Sequence, residues 1–151
     1  MIKITYPAVK PTIRITDHVE KVFCLIRRKW MVLTPEEWVR QNFLLYLIEV
    51  LGYPKKLIAV EKQIKLAAVN KRFDIVVFDQ NALPQIIVEC KQMNEPISES
   101  SIEQVLRYNS KISAPIILIT NGLYAIGYKI EKEKINEIKN LNNYKYINNS
   151  I

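Results

Sequence analysis

Hydrophobic and polar residues follow one another along this chain in two rhythms, a two-residue repeat typical of strands and a three-to-four-residue repeat typical of helices. From Lys21 to Leu33 the sequence KVFCLIRRKWMVL sets two β-rich runs on either side of the basic cluster Arg27-Arg28-Lys29, which predicts a hairpin. At Thr34-Pro35-Glu36-Glu37 the rhythm changes. Thr34 suits a helix N-cap and Pro35 the first helical position. Glu36 and Glu37 complement the positive end of the helix dipole, and Thr34 with Glu37 has capping-box spacing. In WVRQNFLLYLIEVL that follows, Val39, Phe43, Tyr46, Leu47 and Val50 share one helical face, and Gly52 with Pro54 closes the helix.

Three β-like segments come next, Leu57 to Leu66, Arg72 to Phe78 and Gln85 to Lys91, the last two joined by polar residues and Pro84 as in a hairpin. A second helix is predicted from about Ser98 to Ser110, then a short apolar strand from Ile116 to Thr120, bounded by Pro115 and Asn121-Gly122. Leu123 to Ile130 returns as its antiparallel neighbour, and the Lys-, Asn- and Glu-rich tail from Lys132 is expected to hold a short final helix and then fray. This order predicts an α/β domain, a mixed sheet with helices packed on its faces. The expectation is one domain over residues 1–151, with a core of about 22–130 and a peripheral tail over 131–151.

Composition narrows the function. The chain has 22 Lys+Arg against 15 Asp+Glu, a net charge of +7, which favours a polyanionic partner such as nucleic acid. His18 is the one histidine, which excludes His-based triads and zinc clusters built on histidine. Cys24 and Cys90 are too few for a disulfide framework and read as reduced thiols. No apolar run approaches the roughly 20 residues of a membrane helix, and the N-terminus lacks the apolar stretch of a signal peptide. A cytoplasmic protein with no membrane contact is expected.

The chemistry concentrates on two strands. Glu89 and Lys91 share one face of the segment QIIVECK, opposite Ile86, Val88 and Cys90. Asp74 interrupts the apolar run of RFDIVVF. If the two runs form a hairpin centred near Asn81-Ala82, Asp74 lies opposite Glu89 and two carboxylates and an ammonium meet near a strand end. Phosphodiester hydrolysis uses such a set. The carboxylates hold Mg²⁺ (or Mn²⁺), which polarises the phosphoryl oxygens and activates a water, and the lysine orients that water and offsets developing charge. By itself Asp-x₁₄-Glu-x-Lys is a weak pattern. The plain alternative is a solvated Glu-Lys pair at a strand end and a turn aspartate.

Gln104 and Tyr108 lie one turn apart on the second predicted helix, where they could meet phosphate or bases. The alternative is that Tyr108 is core, beside Ile102, Val105 and Leu106. Arg27, Arg28, Lys29, Arg40, Lys71, Arg72 and Arg107 come from segments that bracket the proposed site and could form a phosphate-binding rim. Trp30 and Trp38 read as packing residues, and Cys24 as a small buried apolar one.

The chain resembles the N-terminal nuclease domain of type I restriction enzyme R subunits, in the PD-(D/E)XK superfamily. The stretches that carry the likeness are LTPEEWVRQ at Leu33 to Gln41, LGYP at Leu51 to Pro54, KRFDIVVFD at Lys71 to Asp79, VECK at Val88 to Lys91, QVLRYN at Gln104 to Asn109 and ITNG at Ile119 to Gly122. The resemblance implies a restriction-endonuclease-like core and a metal-dependent endonuclease acting on DNA, with restriction or defence as its setting. It implies that Asp74, Glu89 and Lys91 carry catalysis. Metal would be held by Asp74, Glu89 and the backbone carbonyl of Cys90. A helix glutamate would join, with Glu36 favoured over Glu37, and Gln104 and Tyr108 would lie beside the cleavage site. Phe73 stands where the motif has its proline. The chain shows neither a helicase motor nor a target-recognition region, so those functions would come from partner subunits, and a homodimer would let a single-site nuclease cut both strands. The same catalytic set serves RNA as well as DNA. The alternative function is a nucleic-acid-binding or assembly module that keeps this fold without cutting.

Overall fold

The computed structural model describes residues 1–66, 69–132 and 134–145. Its first strand, β1 (Ile2–Lys3), joins the main sheet, while β2 (Ile13–Thr16), β3 (Val19–Cys24) and β4 (Lys29–Val32) form a separate three-stranded antiparallel sheet. The turn between β3 and β4 holds the basic cluster, as the sequence pattern anticipated, whereas β1 and β2 were not foreseen. Trp30 packs edge-on against Phe23 across this hairpin and carries the Arg14 guanidinium 4.0 Å above its ring.

Helix α1 (Pro35–Leu45) starts where the capping signals put it, with the Thr34 hydroxyl accepting the Glu37 N–H at 3.0 Å. Val39, Phe43, Leu44 and Leu47 enter the core, but Val50 is exposed. The reason is local: Tyr46–Val50 widens into a π turn, which shifts the phase of the apolar stripe. Gly52 then takes a left-handed φ of +74°, the conformation that ends the helical run.

The main sheet continues with β5 (Ile58–Leu66), β6 (Val69–Phe78) and β7 (Pro84–Cys90), an antiparallel meander. Helix α2 (Glu99–Ile112), capped by Ser98, then crosses over to β8 (Ile116–Thr120), which pairs parallel to β7. Strand β9 (Tyr124–Glu131) returns antiparallel to β8. The tail departs from expectation: before any helix it forms β10 (Lys134–Ile138), antiparallel to β9. Leu141 is buried, and Tyr144 donates its N–H to the Leu51 carbonyl at 2.9 Å. A helical turn starts at Tyr144 and Lys145, and residues 146–151 lie outside the described part.

The strand order is β1-β9-β8-β7-β6-β5, with β10 also on β9. One face packs against α1, through Ile75, Val77, Ile86, Val88 and Leu118. The other packs against α2, through Phe73, Val76, Ile87, Ile117 and Ile119. The result is a mixed sheet between helices, as the sequence predicted. Strict alternation fails at one level. Ile58 and Val60 face α1 but Ile64 packs on the α2 side, and Phe73 likewise parts from Ile75 and Val77. Register is kept, Val60 pairing with Ile75 and Lys62 with Phe73. The switch falls at Glu61, whose φ is +51°, and at Asp74 opposite it. The irregular level of the sheet is therefore the level that carries Asp74.

Gly127 sits where β8, β10 and β1 converge. A Cβ there would stand 2.6 Å from Leu118 Cδ2 and 2.9 Å from Ile138 Cγ1. Gly127→Ala is expected to lower stability by about 1–3 kcal/mol through overpacking, read as a lower denaturation midpoint with an unchanged slope.

Candidate active site

Asp74 reaches the site because the β6–β7 register, set by Ile75 opposite Val88, puts it opposite Glu89 one step past the last ladder pair. There its carboxylate replaces the ladder: Oδ2 accepts the Cys90 N–H at 2.7 Å. Oδ1 accepts from Arg40 Nη2 at 2.6 Å. Arg40 projects from α1, 4% exposed, and also holds Glu36 at 2.9 Å and Glu37. Burial opposes the charge on Arg40, but Asp74 and Glu37 outweigh it and raise the guanidinium pKa.

Glu89 is less well served. Its side chain is 14% exposed and its Oε1 accepts no aligned hydrogen bond among the described residues, although Lys71 Nζ lies 3.2 Å away as an ion pair. Burial, the Asp74 charge and a hydrogen bond with Asp74 push the Glu89 pKa up to about 7, against the pull of Lys71. Glu36 is half exposed. Burial and Asp74 raise its pKa, while Arg40 and Lys91 oppose the rise. The Lys91 charge is therefore felt at Glu36, yet the ion-pair partner of Lys91 Nζ is Glu95 Oε1, at 4.0 Å. The Lys91 N–H is tied to the Thr120 carbonyl at 2.8 Å, and Asn121 Nδ2 holds the Glu95 carbonyl at 3.2 Å, which fixes the loop after β7.

Helix α2 brings Tyr108 to the other side of Lys71, whose ammonium lies 5.1 Å from the ring centroid. Gln104 and Arg107 are exposed on the same helix, and the Gln104 side chain makes no hydrogen bond among the described residues. Arg72 is exposed, 65%, and 3.9 Å from Glu61. Two residues expected on a phosphate rim are inside instead. Arg40 is buried among the three carboxylates, and Arg27 lies between Glu37 and Glu61. A desolvated carboxylate draws in the nearest guanidinium, so these arginines serve the protein's own charges.

Sequence reasoning did not find the chain Arg27–Glu37–Arg40–Asp74, which links the small sheet to the site through α1. Glu37 is its buried hub and also accepts from Gln41 Nε2 at 2.7 Å. The spacing of Glu37 and Arg40, three apart on a helix, was the visible signal. The contact with Arg27 was not visible, because it depends on how the hairpin docks. Glu61 was also missed. It faces Asp74 across the β5–β6 pair, and only the register shows it.

A mixed sheet packed between two helices thus carries two carboxylates opposed on neighbouring strands, with a lysine just beyond. The sequence model of the type I restriction enzyme R protein N terminus matches residues 35–143, and the chain belongs to that family. Among solved structures it is similar to one titled "cryoEM structure DrdV-DNA complex", at 15% identity and a TM-score of 0.46. That match takes in 72% of this chain, which spans 10% of the other chain's length. No curated protein matches it.

The raised Glu89 pKa has a sign that can be measured. Its folded value, about 7, lies above the ordinary 4.5, so the folded state binds the proton more tightly. Its contribution to stability is complete below pH 4.5 and is lost as pH rises through about 7. In metal-free buffer Glu89→Gln should remove this loss and be more stable than the parent at pH 8, as read from denaturation midpoints at both ends of the range.

Proposed function

We propose that this chain is a metal-dependent endonuclease that hydrolyses DNA phosphodiester bonds, and that residues 1–151 act as one nuclease domain. The observation that carries this reading is the crowding of Asp74 and Glu89. Two carboxylates share a desolvated site, and Glu89 Oε1 has no aligned hydrogen-bond donor. Such crowding destabilises a protein unless a cation relieves it. Among the described residues no group of three or more His, Cys, Asp or Glu side chains is gathered for a metal. The donors that are present still fit Mg²⁺ or Mn²⁺, hard cations that take one or two carboxylates and keep several waters or phosphate oxygens.

Asp74, Glu89 and the Cys90 carbonyl would hold the ion. In a strand the N–H and C=O of one residue leave by the same edge, and the Cys90 N–H already points to Asp74. When bound, the ion would polarise the scissile phosphate and lower the pKa of a water. Lys91 would orient that water and offset charge on the phosphate. Glu36, whose carboxylate senses both Asp74 and Lys91, would accept hydrogen bonds at the same edge. Gln104, Arg107 and Arg72, exposed around the site, would meet the DNA backbone. Arg40 would contribute by holding Asp74. Restriction or defence is the setting that membership of the R-protein family supports, with target recognition and translocation supplied by partner subunits. A homodimer would place two such sites for double-strand cutting. Cys24 and Cys90, buried and free, accord with a cytoplasmic location.

Purified protein with Mg²⁺ or Mn²⁺ is expected to nick or linearise plasmid DNA. Asp74→Ala, Glu89→Ala and Lys91→Ala should each reduce the rate by at least about a hundredfold while far-ultraviolet circular dichroism stays unchanged. Parent protein that leaves every DNA substrate intact, with variants that behave like it in cells, would sink the reading. A second reading, a binding or assembly module that does not cut, draws on Arg40, which already engages Asp74 Oδ1. Such a module would shift DNA in EDTA, lose binding with salt and never nick.

A further inference from the structure

The lysine beside the Glu89 carboxylate is Lys71, outside the Glu-x-Lys motif. Its Nζ is 3.2 Å from Glu89 Oε1, whereas the motif lysine, Lys91, has Glu95 as its ion-pair partner. Lys71 also has a platform. Its ammonium stands 5.1 Å from the Tyr108 centroid and 5.8 Å from that of Phe73. The Lys71 side chain is 26% exposed, so its ammonium is bounded by a carboxylate and two aromatic rings and is open on its remaining side. An ammonium has three donors, and one carboxylate oxygen engages at most one or two of them. Aromatic faces hold the charge in place without using a donor. An anion arriving at the carboxylate pair from solvent meets this free donor capacity.

We propose that Lys71 is a phosphate-contacting residue of this site and that Tyr108 acts on DNA through it. This rests on the reading of the chain as DNA-binding. Tyr108 is then a positioning residue: its ring holds the ammonium, and its hydroxyl is dispensable. The arrangement also gives the Gln-x-x-x-Tyr helix a link to the carboxylates that needs no direct base stacking.

Binding of a fluorescent DNA duplex, titrated over a range of KCl in EDTA, tests this without metal binding or cleavage. Lys71→Gln should reduce the slope of log affinity against log salt by about one, and affinity at about 0.1 M salt by roughly five- to tenfold. Lys71→Arg should keep the slope. Tyr108→Phe should match the parent, and Tyr108→Leu should lose about two- to fivefold. Adding Tyr108→Leu to Lys71→Gln should cost nothing further, which a merely structural tyrosine would not produce.

Proton NMR gives an independent readout. The Lys71 ε-methylene should be shifted upfield by the Tyr108 ring in the parent and in Tyr108→Phe, and should return to its ordinary position in Tyr108→Leu. If Lys71→Gln does not fold, Lys71→Arg, the tyrosine variants and the NMR shift still decide. Parent binding with an unchanged slope in Lys71→Gln, additive losses in the double variant, or an unshifted ε-methylene overturns the proposal alone. No parent binding overturns it together with the DNA-binding reading. Binding that depends on Lys71 in a protein that never cuts leaves the proposal standing and removes the nuclease activity.

Discussion

Two carboxylates held side by side at the centre of an apolar sheet require positive charge, and much of this molecule is arranged to supply it. Asp74 interrupts a strand whose neighbours Phe73, Ile75 and Val76 are fully buried, and Glu89 follows three fully buried residues of β7. In such surroundings a carboxylate without a partner costs several kcal/mol, whereas an exposed surface pair such as the N-terminus with Glu137 is screened by solvent and contributes little. Asp74 is answered by Arg40 and by the Cys90 N–H. Among the described residues the cation that answers Glu89 is Lys71, and the remaining imbalance appears as its raised pKa.

The requirement extends outwards from the site. Arg40 needs Glu36 and Glu37 as well as Asp74, Glu37 draws Arg27 inward, and Arg27 engages Glu61 on β5. The small β2–β4 sheet is thereby joined to the carboxylates by charge as well as by the packing of Cys24, Ile26 and Met31 against the α1 core. A buried network of this kind is costly to break at any one member, because the survivors keep their desolvation penalty. Glu61 closes the circuit from a strained position, its φ of +51° lying where the sheet changes its face alternation. Strain of this kind persists only where the surroundings over-determine it.

The two lysines divide the cationic work. Lys91 is set at the mouth of the site by the β7–β8 pairing and by a loop that Asn121 fastens. Lys71 comes from β6, between the α2 tyrosine and Glu89. The α1 and α2 faces of the sheet thus each deliver one cation to one carboxylate, Arg40 to Asp74 and Lys71 to Glu89. Both helices therefore take part in the electrostatics of a site whose carboxylates lie on neighbouring strands.

Much of this was readable from residue order alone. The Thr34 cap, the apolar stripe of α1, the β6–β7 hairpin with Asp74 opposite Glu89, and the apolar β8 are local or near-neighbour features, and periodicity and turn chemistry encode them directly. Tertiary structure decided which side of the protein surface each charge lies on. Arg40 and Arg27 have the charge of a phosphate rim, yet Arg40 is buried and Arg27 is mostly covered, because the free energy of pairing a desolvated carboxylate exceeds that of solvating a guanidinium. The same holds for the tail, where the open edge of β9 accepts β10 before any helix begins. Strand pairing and ion pairing over long sequence separations depend on which surfaces meet once the chain has collapsed, and a linear pattern of residues does not contain that information.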